Sequence, residues 1–222
     1  MEVIQILVIG YALGGIPFGV LLAKLFGLPD PRYIGSGNIG ATNMLRMGNK
    51  KVALLTLLLD MGKGVAAVLL TNYLFPFLVR DLTATCQSVG GGLIPCAYTI
   101  ANPHYGALAA LLAAVGHMYS PWLKFKGGKG VATLCGGALA FSWPVGMAAL
   151  LLWGIVVFTT RYVSLGSLVA LTLAPFIVWL RVDGASAIIL AIAAGIAIWK
   201  HRENIARLRR GFEPKVSLGK GK

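Results

Sequence analysis

Acidic side chains are scarce in this chain: seven Asp and Glu stand against 20 Lys and Arg, and charged residues make up only 12% of the 222. A soluble domain carries about 25%. That deficit, beside 57% hydrophobic residues and a mean hydropathy of +0.79, excludes a soluble domain and points to an integral membrane protein. Cysteine is also rare, and Cys86, Cys96 and Cys135 lack the close paired spacing of a zinc site. The polar connectors lack an acidic cluster that would hold magnesium, so neither a metal nor another cofactor is expected. Aromatic and basic residues do not alternate on any soluble stretch, which sets nucleic acid aside despite the formal charge of +13. Anionic lipid headgroups and anionic small molecules are the better partners. A cleavable leader is not expected: Glu2 precedes the first apolar run where Lys or Arg would be expected, and no obvious small-residue cleavage site follows it. The first run is expected to stay as a span.

Three lysines and three glycines stand out in the stretch Lys124-Phe125-Lys126-Gly127-Gly128-Lys129-Gly130, just before the apolar run that begins at Val131. Glycines let backbone N–H groups converge on an anion, and a helix starting at Val131 would add its free donors and partial positive charge at the same point. The nucleotide loop G-x-x-x-x-G-K-[ST] does not fit, because Leu123 stands at the first glycine and Gly130 at the hydroxyl residue. Anion binding without nucleotide hydrolysis is the reading; a basic loop at a membrane surface is the plainer one.

In chain order, residues 3 to about 25 make a first span interrupted by Gly14-Gly15-Ile16-Pro17, where a kink or a close helix contact is expected. A polar connector, residues 27 to 51, leads to a second span from about Val52 to Leu74, in which Asp60 and Lys63 sit at i,i+3 and can pair. Intramembrane charges of this kind mark a bundle interior or a polar site. A third, short span covers about Gly106 to Tyr119. The next 30 residues, Val131 to Thr160, are apolar with Ser142-Trp143-Pro144 near the middle, and one crossing needs only about 20. Charge decides between one crossing and two. Spans at 131–145 and 146–160, followed by 164–180 and 184–199, leave all but two of the 20 Lys and Arg, Arg80 and Arg181, at or near the inner side. The expected fold is thus an all-α, polytopic helical bundle of seven transmembrane helices, forming a single domain over residues 1–222, with the N-terminus outside and the C-terminus cytoplasmic. Cys86 and Cys96 fall in the outward loop, where a disulfide is as plausible as two free thiols.

This topology brings three polar stretches to one membrane face: the Ser/Asn/Gly-rich connector, the Gly/Lys loop, and His201-Arg202-Glu203-Asn204. Ser36, Asn38, Thr42 and Asn43 suit hydroxyls and phosphate oxygens, and Arg46 offers a planar fork for phosphate. A turn-rich linker would explain the former group equally, and His201 alone would be read as a residue favouring a helix C-terminus.

Gly35-Ser36-Gly37-Asn38-Ile39-Gly40-Ala41-Thr42-Asn43, Lys126-Gly127-Gly128-Lys129-Gly130-Val131-Ala132-Thr133 and Lys200-His201-Arg202-Glu203-Asn204 resemble, in order and sidedness, the three motifs of the bacterial membrane glycerol-3-phosphate acyltransferases that use acyl phosphate, the PlsY family. The likeness extends to Leu59-Asp60-Met61-Gly62-Lys63-Gly64 and Tyr162-Val163-Ser164-Leu165-Gly166. It implies transfer of a fatty acyl group from acyl phosphate to the 1-hydroxyl of glycerol 3-phosphate in the bacterial inner membrane, with the site facing the cytoplasm. It also implies substrate binding by Ser36, Arg46, Lys129, Ser164, His201 and Asn204, of which His201, Asn204, Ser36 and Arg46 are taken as the catalytic group; Asn38, Thr42, Asn43, Gly127, Gly128 and Gly130 join the expected substrate-binding set by residue type and spacing. An apolar groove between spans would take the acyl chain.

The H-x-x-x-x-D pattern of thioester-using acyltransferases is absent, since Ala109, Trp122 and Ala206 stand five residues after His104, His117 and His201. Cys135 lies in an apolar run, so direct attack by the substrate hydroxyl is simpler than an acyl-enzyme. The proton goes either to His201 or to a phosphate oxygen of the donor, and the sequence leaves both open. A transporter for a phosphorylated metabolite would explain small-residue spans and basic sites, but no inverted pair of interrupted helices is visible. A lipid-binding structural protein would explain the basic face but not three Ser/Asn/Gly/Lys-rich motifs.

Overall fold

The computed structural model describes residues 2–75 and 103–216. Cys86, Cys96 and Arg80 lie outside the described residues. Within them every regular element is a helix: α1 (Glu2–Gly15), α2 (Phe18–Leu25), α3 (Ala41–Arg46), α4 (Lys50–Leu74), α5 (Pro103–Met118), α6 (Val131–Phe141), α7 (Trp143–Thr160), α8 (Val163–Arg181), α9 (Gly184–Lys200) and α10 (Arg202–Arg209). Side chains such as Leu58, Ile155, Phe176 and Trp179 remain exposed on the outer faces, as lipid-facing helices require.

The first apolar run breaks where Gly15-Ile16-Pro17 stands, between α1 and α2. Pro17 has no N–H to continue the ladder, and the carbonyls left at the break find side-chain donors. Ser120 Oγ donates to Gly15 O at 2.6 Å, and Lys63 Nζ to Ile16 O at 2.9 Å. Each unpaired carbonyl in hydrocarbon would cost several kcal/mol, roughly, so both donors stabilise the interruption.

The centre of the bundle is α5, which packs against α1, α4, α6 and α9. Its sequence is rich in Ala and Gly, and Ala107, Ala109, Ala110, Ala113 and Ala114 are fully buried. Small residues let helix backbones approach where no water drives them together. One close approach that shapes the site is α4 on α6. A Cβ on Gly64 would lie 2.1 Å from Thr133 O, and one on Gly136 would lie 2.0 Å from Met61 O.

The run from 131 to 160 is two helices, but the division falls earlier than 145/146. Ser142 is extended, at φ −154° and ψ 93°, and Pro144 occupies the first turn of α7, where a missing N–H is harmless. A Cβ on Gly146 would strike Leu139, so α6 and α7 fold back on each other as a hairpin about this break. The consequence is that α6 has 11 residues, about 16 Å at 1.5 Å per residue, against about 30 Å of hydrocarbon. Among the described residues five helical segments are long and apolar enough to cross, and α9 makes a sixth if counted with α10, which leaves it at a 60° bend. The seventh apolar segment, α6, is too short to cross alone.

The ends nevertheless fall where two passes through 131–160 would put them. Lys200 Nζ donates to Met118 O at 2.9 Å, and Val216 N donates to Arg161 O at 2.9 Å. The loop after α5, the α7–α8 junction and the chain after α9 therefore share one end of the bundle.

Candidate active site

Three chain segments converge at that end. The 27–49 connector is held by Asn43, whose buried amide accepts from Ser36 N at 2.9 Å and Ser36 Oγ at 3.2 Å. The same amide donates to Pro31 O at 2.9 Å and Ile34 O at 3.0 Å. All four of its hydrogen-bonding positions are thus spent on the protein, so Asn43 fixes Ser36 and is not a free donor to substrate. Asn38 Oδ1 accepts from Gly40 N at 3.1 Å, and its NH2 group is not committed to protein among the described residues.

The second segment is the Gly/Lys loop. Lys124 and Phe125 take left-handed φ values of 50° and 61°, and Gly130, at φ 79°, turns the chain into α6. Gly127 N donates to Met118 O at 3.2 Å and Gly128 N to His117 O at 3.0 Å. These two amides therefore dock the loop on the end of α5 and do not converge on an anion; neither glycine borders the cavity. The donors left for a ligand are Lys129 and the first amides of α6, which precede the opening helical bond from Leu134 N to Gly130 O at 2.8 Å.

The third segment runs from His201 to Val216. Lys129 Nζ donates to Asn204 Oδ1, and Asn204 Nδ2 donates to Glu213 Oε1 at 2.7 Å. Arg207 Nε donates to Glu213 Oε2 at 2.7 Å, and Arg46 stands 3.9 Å from Glu213 Oε1. Burial alone would raise the Glu213 pKa, but hydrogen bonds from Asn204 and Arg207, a looser contact with Ser164 and the charge of Arg207 hold it below the usual glutamate value. Ser164 Oγ, in the first turn of α8, is buried and makes no hydrogen bond of good geometry.

Lys129 is pulled down to about 8 by burial first, with Glu213 opposing and Arg207 and Arg46 adding to the fall. Burial likewise pushes His201 down to about 4; its bond to Ala197 O opposes this and Lys129 adds to it. His201 is therefore neutral at pH 7. Its Nδ1 lies 2.8 Å from Ala197 O, which assigns the proton to Nδ1 and leaves Nε2 a bare acceptor.

One cavity of about 200 Å³ joins these groups. Its polar end carries Ser36, Asn38, Thr42, Asn43, Arg46, Lys129, Gly130, Ser164, His201 and Asn204. Its other end is apolar, lined by Leu134, Ala138, Leu150, Trp153, Leu171 and Leu190. Among the described residues no three His, Cys, Asp or Glu side chains gather to hold a metal ion.

A family model described as "Glycerol-3-phosphate acyltransferase" matches residues 4–211. The chain belongs to the glycerol-3-phosphate acyltransferase family. It is 44% identical to the protein of that name from Roseobacter denitrificans over 96% of this chain and 94% of the other. It is 45% identical to that of Rhodospirillum rubrum, over 95% and 89%. The crystal structure of PlsY, an integral membrane glycerol 3-phosphate acyltransferase, in its glycerol 3-phosphate form superposes with a TM-score of 0.81 at 32% identity, covering 98% of this chain and 96% of that one. Its lysophosphatidic acid form gives 0.79 at 31% identity over the same shares. The chain is accordingly an acyltransferase with the all-helical, integral membrane architecture of this family.

Sequence reasoning missed Glu213 and His117 in the acyltransferase site. Glu213 organises Asn204, Arg207 and Arg46, and its signal was a lone acid after Gly211 in an otherwise basic tail. His117 and Asp60 border the cavity as well. The i,i+3 spacing pairs Asp60 with Lys63, but its meeting with a histidine of α5 depends on which helices adjoin.

Proposed function

We propose that this acyltransferase moves a fatty acyl group from acyl phosphate to the 1-hydroxyl of glycerol 3-phosphate, releasing lysophosphatidic acid and inorganic phosphate. The single observation that carries the reading is the two-ended cavity. Lys129 and Arg46 supply positive charge for phosphate at one end, and the apolar arm between α6, α7, α8 and α9 takes a hydrocarbon chain at the other. This is the shape of a site for two phosphate-bearing substrates of which one is a lipid, and relatives named for glycerol 3-phosphate support the acceptor.

The substrate hydroxyl oxygen attacks the acyl carbonyl carbon, the new ester C–O bond forms, and the bond from that carbon to the phosphate oxygen breaks. Phosphate leaves with the electron pair. The hydroxyl proton passes to His201 Nε2 or to an oxygen of the departing phosphate. Bound phosphate would counter the neighbouring cations and raise the basicity of His201 from its low value in the free protein. Lys129 and Arg46 are set where negative charge develops, and being fixed in advance they need no rearrangement in the transition state.

The reading also places the protein in the bacterial inner membrane, crossing it several times as one acyltransferase unit. Its polar end faces the cytoplasm, because the basic connectors and tail gather there. Bulk membrane lipid surrounds it, and the product enters phospholipid synthesis at its first acylation. Purified protein given acyl phosphate and glycerol 3-phosphate is expected to form lysophosphatidic acid without added metal and in the presence of chelator. Turnover with acyl-CoA in place of acyl phosphate would refute the donor assignment.

A further inference from the structure

A buried charged cluster lies directly beneath the Gly/Lys loop. Asp60 and Lys63 on α4 are 2.9 Å apart, with their side chains 3% and 2% exposed. His117, in the last turn of α5, brings Nδ1 to 2.8 Å from Lys63 Nζ and 3.4 Å from Asp60 Oδ1. Lys63 is tied in turn to Ile16 O at the break between α1 and α2. A buried ion pair is weak evidence for stability, because desolvation offsets most of its attraction. What this one does is hold a single imidazole ring.

The other edge of that ring is the seat of the loop. A Cβ on Gly128 would lie 2.0 Å from His117 Nε2 and 2.9 Å from both Cδ2 and Cε1; one on Gly127 would lie 2.0 Å from His117 O. The Gly128 amide donates to that same carbonyl at 3.0 Å. The backbone of the loop is therefore pressed against the imidazole, with no room for a side chain between them. The next residue is Lys129, whose ammonium reaches Asn204. Lys63 and Asp60 both contact Nδ1, while Nε2 faces Gly128. That placement suits a support better than a proton carrier, although the ring borders the cavity.

We infer that His117, locked by Lys63 and Asp60, is a positioning residue that sets where Gly128, and through it the Lys129 ammonium, stands in the site. The inference rests on the reading that Lys129 binds substrate phosphate. Its physical basis is the sensitivity of catalysis to placement, where an error of about 1 Å can cost roughly 100-fold.

The test is a double-mutant cycle in detergent, with glycerol 3-phosphate varied at saturating acyl phosphate, for wild type, His117→Ala, Lys129→Ala and the double variant. His117→Ala is expected to raise KM for glycerol 3-phosphate about tenfold. A purely structural loss would lower kcat through the active fraction and leave KM in place. His117→Asn, whose carbonyl can accept from Lys63, should recover much of the KM. In the Lys129→Ala background the His117 substitution should add less than about twofold, because its effect runs through that lysine. If His117→Ala is not recovered folded, Gly128→Ala, which crowds the same ring without opening the ion pair, takes its place in the cycle with the same expectation. Fully additive losses, with Lys129→Ala itself impaired, would overturn the role of His117 and leave the phosphate site standing. A Lys129→Ala variant with wild-type kinetics would overturn both.

Discussion

Lys129 and Asn204, 75 positions apart in the chain, are joined by a direct hydrogen bond from the ammonium to the amide oxygen. Asn204 is held from its other side by Glu213, so the loop before α6 and the segment after α9 form one unit. Charge placed in this unit should matter far more than charge placed elsewhere on the same face.

Lys129→Ala and Arg46→Ala are therefore expected to lose much more activity than Lys51→Ala, although each removes one positive charge. Lys51 is exposed in the first turn of α4, where solvent and salt screen it. A charge-assisted hydrogen bond in a water-poor site is worth about 1.5 to 3 kcal/mol, roughly 10- to 200-fold in rate when realised in the transition state. Steady-state kinetics on folded variants in detergent, without bulk anionic lipid, make the comparison. Equal kinetics for all three would mean that basic residues serve only the membrane surface.

The depressed Lys129 pKa gives a prediction with a definite sign. Free enzyme carries the charge below about 8 and loses it above, so kcat/KM for glycerol 3-phosphate should fall as pH rises through that region. Lys129→Arg, which stays charged, should lack this alkaline limb if it retains activity. Glu213→Gln removes the carboxylate that supports the ammonium and should move the limb to lower pH. A limb unchanged in both variants would assign it to another group.

Much of this architecture was legible in the chain. Gly14-Gly15-Ile16-Pro17 marked a real break, Asp60 and Lys63 pair as their spacing implied, and Ser142-Trp143-Pro144 separates two helices. The length of α6 was not legible, because the hydrophobicity of Val131–Phe141 says nothing of where extended backbone at Ser142 ends it. The polar motifs announced their residues but not their division of labour. Asn43 and Asn38 look alike in a Ser/Asn/Gly stretch, yet one is fully committed to backbone carbonyls and to Ser36, while the other keeps an NH2 group. Gly127 and Gly128 suggested an anion cradle, and their amides instead dock the loop on α5. Roles of this kind depend on tertiary neighbours that local spacing does not encode.

His201 offers a second test by pH. With its pKa pushed down to about 4, the free protein should hold a neutral imidazole at pH 6, where an unperturbed histidine is largely protonated. Histidine NMR titration, assigned with His104 and His117 variants, should place its transition well below 6.5 and move it upward when inorganic phosphate binds. The same shift has a stability consequence. Between about 6.5 and 4 the unfolded chain takes up a proton that the folded site refuses, so stability should decline as pH falls through that window. An imidazolium at pH 6 in the ligand-free protein would contradict the assignment of His201 as a neutral acceptor.

Asn43 should prove more important to the position of Ser36 than to substrate contact. Asn43→Ala leaves the carbonyl of Pro31 without this donor, reduces Ile34 O to its bond from Gly37 N, and frees Ser36 N and Oγ from their shared acceptor. A buried polar group left unsatisfied costs about 1 to 3 kcal/mol, so the variant should melt at lower temperature as well as lose turnover. Asn38→Ala breaks one local bond to Gly40 N and should be less destabilising, with its effect falling mainly on kinetics. The decisive comparison is Asn43→Ala against the double variant Asn43→Ala, Ser36→Ala. If Asn43 acts by holding Ser36, removal of Ser36 should add little to the loss in kcat/KM already caused by losing Asn43. Melting curves and kinetics measured together separate the two contributions. A normal melting temperature with a large, independent loss of activity in Asn43→Ala would instead make its amide a direct substrate ligand.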